Sequence, residues 1–119
     1  MDALLSLVIA GVILVSTWQL LKDSLKLSLD GVPEGINLQE VQSRIMQMKG
    51  VKDFHHIHIW ALSTTENALT AHLVVSKDTD LNSLETLKHQ IKHELVHLNI
   101  QHATLETEME NAHCEEPQC

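Results

Sequence analysis

The chain has 119 residues, room for one small domain and one further element. Its formal net charge is −8, from 8 Lys and Arg against 16 Asp and Glu, which excludes the basic footprint that nucleic-acid binding requires. Nine histidines beside one Phe and no Tyr weight the composition toward metal ligands, because imidazole is the commonest metal-binding side chain.

In chain order, residues Ala3 to Leu21 carry no charge, and only Ser6 and Gly11 interrupt the apolar run from Ala3 to Val15. About twenty helical residues cross a hydrocarbon core of roughly 30 Å, so this segment is expected to span a membrane. Trp18 stands where an interfacial aromatic would stand, Asp2 precedes the run, and Lys22 and Lys26 follow it. These cations place the C-terminal side in the cytoplasm by the positive-inside rule. A signal peptide would begin with basic residues and end at a small-residue cleavage site, and a buried core helix would be shorter and more amphipathic. Beyond Leu21, the helical spacing of Leu21, Leu25 and Leu29 opposite Lys22, Asp23, Lys26 and Asp30 extends the helix as an amphipathic exit. Gly31, Pro33 and Gly35 end it. The expected division is a membrane helix and its extension over 1–30, a linker over 31–36, a soluble domain over 37–110 and a tail over 111–119.

Asn37 with Glu40 forms an N-cap pattern ahead of the apolar stripe Leu38, Val41, Ile45 and Met48, and Gly50 stops that helix. Phe54 to Leu62 reads as a strand, with His55 closing the loop before it and His56, His58 and Trp60 on one face. Ser63 to Asn67 reads as a turn. A second strand runs Leu69 to Val75, with Leu69, Ala71, Leu73 and Val75 on one face and His72 on the other. Thr79 and Asp80 open a helix with the core stripe Leu84, Leu87, Ile91, Leu95 and Leu98, which Asn99 breaks. Ile100 to Met109 is the last strand, where His102 shares a face with Thr104, Glu106 and Glu108. The order αββαβ, with two helices on one face of a small sheet, gives an α+β, ferredoxin-like domain. At about 75 residues its core is marginal, and a metal or a second subunit would stabilise it.

The tail carries His113, Cys114 and Cys119, and both cysteines fall where a disulfide would constrain no core. The compartment therefore reads as reducing and the thiols as free or metal-bound. The tail is a candidate soft-ligand cluster, though four residues separate the cysteines, wider than a strict CxxC. His93-Glu94-Leu95-Val96-His97 matches the HExxH pattern of zinc proteases. However, His93 lies about 200° around the helix from Ile91, so His93 and His97 are expected in solvent. A protease is the remote alternative, and weak metal binding or a solvated face fits the stripe better.

The ordered set SLVIAGVILVSTWQLLKDSLKLSLDGVP (Ser6–Pro33), GVKDFHHIHIW (Gly50–Trp60), TAHLVV (Thr70–Val75) and IQHATLETE (Ile100–Glu108) resembles the cation diffusion facilitators, in particular their bacterial cobalt–zinc–cadmium resistance branch. The resemblance implies the C-terminal part of a divalent cation efflux transporter in the bacterial inner (cytoplasmic) membrane. It implies exchange of zinc, and also cadmium or cobalt, for protons. The cytoplasmic domain would be metallochaperone-like and would form a homodimer. His55, His72 and His102 match the histidines that bind cytoplasmic zinc near that dimer interface, and Glu108 shares the face of His102. Nickel suits the same ligands. Thr104 and, approximately, Asp80 stand where some relatives have an Asp and a His, a departure from the two-metal pattern. His56 and His58 read as structural. The transport ligands of such proteins lie on their second and fifth membrane helices. The chain is accordingly expected to be a truncated product or a piece beginning at an internal methionine. A stand-alone, membrane-tethered zinc-binding regulatory module is the alternative. None of these readings makes the chain an enzyme.

Overall fold

The computed structural model describes residues 2–29 and 31–112, and the chain divides after Gly31 into two compact units. The first is a single helix, α1 (Asp2–Ser28), of 27 residues. At 1.5 Å per residue it is about 40 Å long, so it exceeds a bilayer core, and none of its side chains is buried within the chain. Its few hydroxyls bond back to the helix: Ser6 to the Asp2 carbonyl at 2.9 Å, and Thr17 to that of Ile13 at 2.8 Å. These hydroxyls are thereby satisfied without water.

The second unit holds α2 (Leu38–Met46), β1 (Val51–Ala61), β2 (Asn67–Val75), α3 (Leu81–His97) and β3 (His102–Met109). Local chemistry sets the helix starts. Asn37 Oδ1 accepts from the backbone N–H of Gln39 (2.9 Å) and Glu40 (3.3 Å), and Asp80 caps α3 through the N–H of Ser83. Hydrogen bonds from Ser83 hold the Asp80 carboxyl below the usual carboxylate range. Both helix exits use a left-handed residue, Gly50 (φ 101°) after α2 and Asn99 (φ 64°) after α3. The order αββαβ is the expected one.

The sheet runs β1-β2-β3, with β1 and β2 antiparallel and β2 and β3 parallel. One face carries the core: Phe54 and Ile59 from β1, with Leu69, Ala71, Leu73 and Val75 from β2. They pack with Val41 and Ile45 of α2 and Leu87, Ile91 and Leu95 of α3. With both helices of this unit on that side, the other face of the sheet carries no helix of the unit.

The elements differ from the sequence expectation at several points; β2, for one, begins at Asn67, which reads as a turn residue, rather than at Leu69. β1 begins at Val51 rather than Phe54, so His55 lies inside the strand and not in a loop before it. Ile100 is not in β3: it is buried, and its N–H closes the α3 terminus on the Leu95 carbonyl at 2.9 Å. A further difference is a one-residue bulge between His55 and His58, where His55 pairs with His72 and His58 with Thr70. His56 sits there with φ 49°. Phe54 and Ile59 are five residues apart, and strict alternation would send them to opposite faces. The bulge lets both enter the core and puts His55, His58 and Trp60 together on the open face.

Candidate metal centre

His55, in the middle of β1, pairs across the sheet with His72 of β2, and in the parallel register Glu106 and Glu108 of β3 flank His72. The ligand atoms of His55, His72 and Glu108 all lie within 4.8 Å of one another. His72 Nδ1 is hydrogen-bonded to Glu108 Oε1, and His72 Nε2 lies 3.5 Å from Glu106 Oε2. His55 Nε2 is 3.8 Å from Glu108 Oε2. On the other side of its ring, His55 Nδ1 sits 2.9 Å from Asp53 Oδ2. Asp53 escaped the sequence reading. Its one signal was a carboxylate two residues before a histidine on the same strand.

Two features of this cluster fit a metal. His55 Nε2 is buried and has no hydrogen-bond partner, a state that costs about 1–3 kcal/mol for a polar group left unmade. The donor set is also right. Zinc takes imidazole nitrogen and carboxylate oxygen at about 2.0–2.2 Å, which sets tetrahedral ligands about 3.3 Å apart. The observed spacing, up to 4.8 Å, exceeds that value by about 1.5 Å at most. Asp53 against the far nitrogen of His55 is the carboxylate–histidine arrangement that orients a ligating ring and raises its basicity. The three ligand side chains are 16–23% exposed, so a bound ion would be partly shielded yet reachable.

Not every expected ligand joins them. His102 opens β3 opposite Ala68, six residues before Glu108. At about 3.3 Å per residue that is roughly 20 Å along the strand. Its Nε2 lies 3.9 Å from Glu66 instead. His102 thus shares the open face but not the cluster within one chain. His113, Cys114 and Cys119 lie outside the described residues. His56 meets the ring of His72 edge to face, with 4.9 Å between centroids. With His58, Thr70, His72, Thr104 and Glu106 it lines a cleft of about 290 Å³ beside the cluster.

The face that presents these ligands is matched by a known family. Residues 33–110 match the family described as cation efflux protein, cytoplasmic domain. The chain belongs to the cation efflux family. It is 38% identical over 116 residues to the metal cation efflux system protein CzcD of Cupriavidus metallidurans, covering 97% of this chain and 35% of that protein. It is 33% identical over 109 residues to the cadmium, cobalt and zinc/H(+)-K(+) antiporter of Bacillus subtilis, covering 92% of this chain and 35% of that one. The chain thus spans about a third of the length of the relatives it matches. A solved structure of CzrB superposes with a TM-score of 0.57 at 19% identity, covering 68% of this chain and 100% of that one, which establishes the shared fold.

Within this cation efflux domain the HExxH pattern does not form a protease site. His93 and His97 are exposed on α3, and Glu94 turns away to bond Arg44 of α2 at 2.9 Å. Among the described residues, the only group of three or more metal-ligating side chains is His55, His72 and Glu108. A general base held in an ion pair, and no third ligand, leave no catalytic zinc geometry there.

Proposed function

We propose that this chain is the C-terminal part of a divalent cation efflux transporter, and that its soluble domain binds zinc through His55, His72 and Glu108 to regulate transport as a homodimer. The observation that carries the reading is the convergence of those three side chains around a buried, unpartnered His55 nitrogen. Two imidazoles and one carboxylate favour zinc, cadmium, cobalt or nickel over magnesium and calcium, which take oxygen ligands. The name of the Bacillus subtilis relative, an antiporter of cadmium, cobalt and zinc, supports three of these cations.

In this reading α1 spans the bacterial inner membrane, with Trp18, Lys22 and Lys26 at its cytoplasmic border and the domain in the cytoplasm. Dimerisation uses the helix-free face of the sheet, where His102 supplies a further ligand; His113, Cys114 and Cys119 of the tail are further candidate ligands. The chain carries out no bond-making chemistry. Its contribution is a coupling between metal occupancy and dimer geometry. A cation that binds the closed dimer better than the open one shifts the population by that difference in affinity alone.

Calorimetric titration of the chain in detergent micelles with zinc tests the site. His72→Ala should remove the strongest binding, whereas His102→Ala should leave it. Undiminished zinc affinity in His72→Ala overturns the assignment.

A further inference from the structure

Outside that centre, α3 carries a histidine row of its own. Its outer face carries His89, His93 and His97, one turn apart and all exposed. The rings of His93 and His97 approach to 4.8 Å between centroids, edge to face at 71°. We propose that His93 and His97 form a second metal site, a two-imidazole chelate for divalent transition ions such as nickel, copper or zinc. It is independent of the centre on the sheet.

Three observations favour a chelate over two solvated side chains. First, the spacing is i, i+4 on a helix of 17 residues, so both rings stand on one face within reach of a single ion. Their centroids already lie 4.8 Å apart on that face. Second, the pair occupies the last turns of α3, where the helix macrodipole presents its negative end and a cation is stabilised. Third, the one acid within the pattern, Glu94, is already engaged by Arg44. The pair is therefore a bare two-nitrogen donor with the remaining coordination positions open to water.

The placement separates this site from the first. α3 packs on the core face of the sheet through Leu87, Ile91 and Leu95, and the His55 centre lies on the opposite face. The two sites share no ligand and no carboxylate. Two imidazoles alone bind more weakly than two imidazoles with a half-buried carboxylate, so the chain should show two classes of metal affinity. The weaker, water-exposed class exchanges ions readily and fills at higher free metal. It would hold ions at the domain surface without occupying the centre on the sheet.

Chelation has a signature that independent histidines lack. The second imidazole binds at an effective concentration set by the helix, which strengthens the pair about 10²-fold over one ring. Either His93→Ala or His97→Ala should then weaken the site about 10²-fold, and the double substitution should weaken it little further. The test titrates the chain in detergent micelles with nickel in a background of His72→Ala, His102→Ala, His113→Ala, Cys114→Ala and Cys119→Ala, which removes the other ligands named above and isolates the helix site. Calorimetry gives the affinity, and paramagnetic broadening of imidazole signals identifies the ligands. The expected result is one weak class, with His93 and His97 broadened first, lost equally in either single variant and retained in Glu94→Gln. Retention of the class in the double variant, or additive losses from the two singles, overturns the proposal. So does the absence of any weak class. The same series in the His72-containing chain should leave the tighter class unchanged, so failure of one site is distinguishable from failure of the other.

Discussion

Glu108→Gln removes one charge and nearly no volume from the centre on the sheet, and its consequence can be worked out. In the metal-free chain Glu108 accepts from His72, so the amide costs about 0.5–1.5 kcal/mol. With metal the effect is larger, because the site's one anionic ligand is lost. Removing an outer carboxylate that orients a ligating histidine costs about 10–100-fold in affinity. Asp53→Asn, which loosens His55 from its 2.9 Å partner, should fall in that range. Loss of a direct ligand should exceed about 100-fold. Zinc at a hundred times the dissociation constant stabilises the native state by about 2.7 kcal/mol. A domain of this size shifts by about 4–8 °C per kcal/mol, so zinc should raise the domain's Tm by about 10–20 °C. At the same zinc concentration a 100-fold weaker variant gains only about 0.4 kcal/mol, or about 2–3 °C. Differential scanning calorimetry of the chain in micelles, with and without zinc, reads all three proteins. The expected order of zinc-induced shifts is unmodified chain, then Asp53→Asn, then Glu108→Gln. A full shift in Glu108→Gln would mean that the carboxylate is not a ligand, and a shift smaller in Asp53→Asn than in Glu108→Gln would reverse the inner and outer roles.

The other expectations are independent of one another. Phe54→Ala empties the largest fully buried side-chain site, directly before His55, and should cost about 3–5 kcal/mol. Circular dichroism should show it largely unfolded without zinc and partly restored by zinc. Asp80→Ala should destabilise the domain at neutral pH by removing the α3 cap. Because the folded Asp80 is held below its unfolded pKa, its contribution is full above the unfolded value and fades as pH falls through the folded one. The stability gap between the two proteins should therefore close below about pH 4, and a gap that persists there would assign the loss to packing rather than to charge. Zinc should also compact the proposed dimer. The region from Glu106 onward holds five acids and no Lys or Arg, so two copies repel until a cation reduces the charge. Small-angle scattering that shows unchanged dimer fraction and dimensions at saturating zinc would leave metal binding without a sensing role.

The parts of the domain legible from the sequence are those where periodicity and capping agree. Asn37 and Asp80 marked both helix starts, and the stripes Val41–Ile45 and Leu87–Ile91–Leu95 marked the faces that reach the core. Local consistency of this kind follows from cooperativity, since a helix in a small domain is held mainly by its apolar face. The alternation of β2 was equally readable because Leu69, Ala71, Leu73 and Val75 are all buried. β1 was harder, and the reason bears on function. Period two assigns His56, His58 and Trp60 to one face and leaves His55 opposite them, yet the core demands Phe54 and Ile59 together. The conflict was present in the sequence as an odd spacing between two large apolar residues. It is resolved by a bulge that no propensity scale locates.

That bulge links the core to the centre on the sheet. Burying Phe54 and Ile59 on one side forces the extra residue between them, and the extra residue fixes which histidines face outward. His55 is thereby set opposite His72 at a strand pairing rather than in a loop, with its ring held between Asp53 and Glu108. A ligand on a rigid strand is positioned more closely than one on a loop, and its placement here depends on the same apolar contacts that stabilise the domain. In the proposed centre the coupling would run in both directions: a metal held by His55 would also brace the strand carrying Phe54. A site of this kind binds metal only when the domain is folded. In a domain with so small a core, metal occupancy and folding stability should therefore rise and fall together.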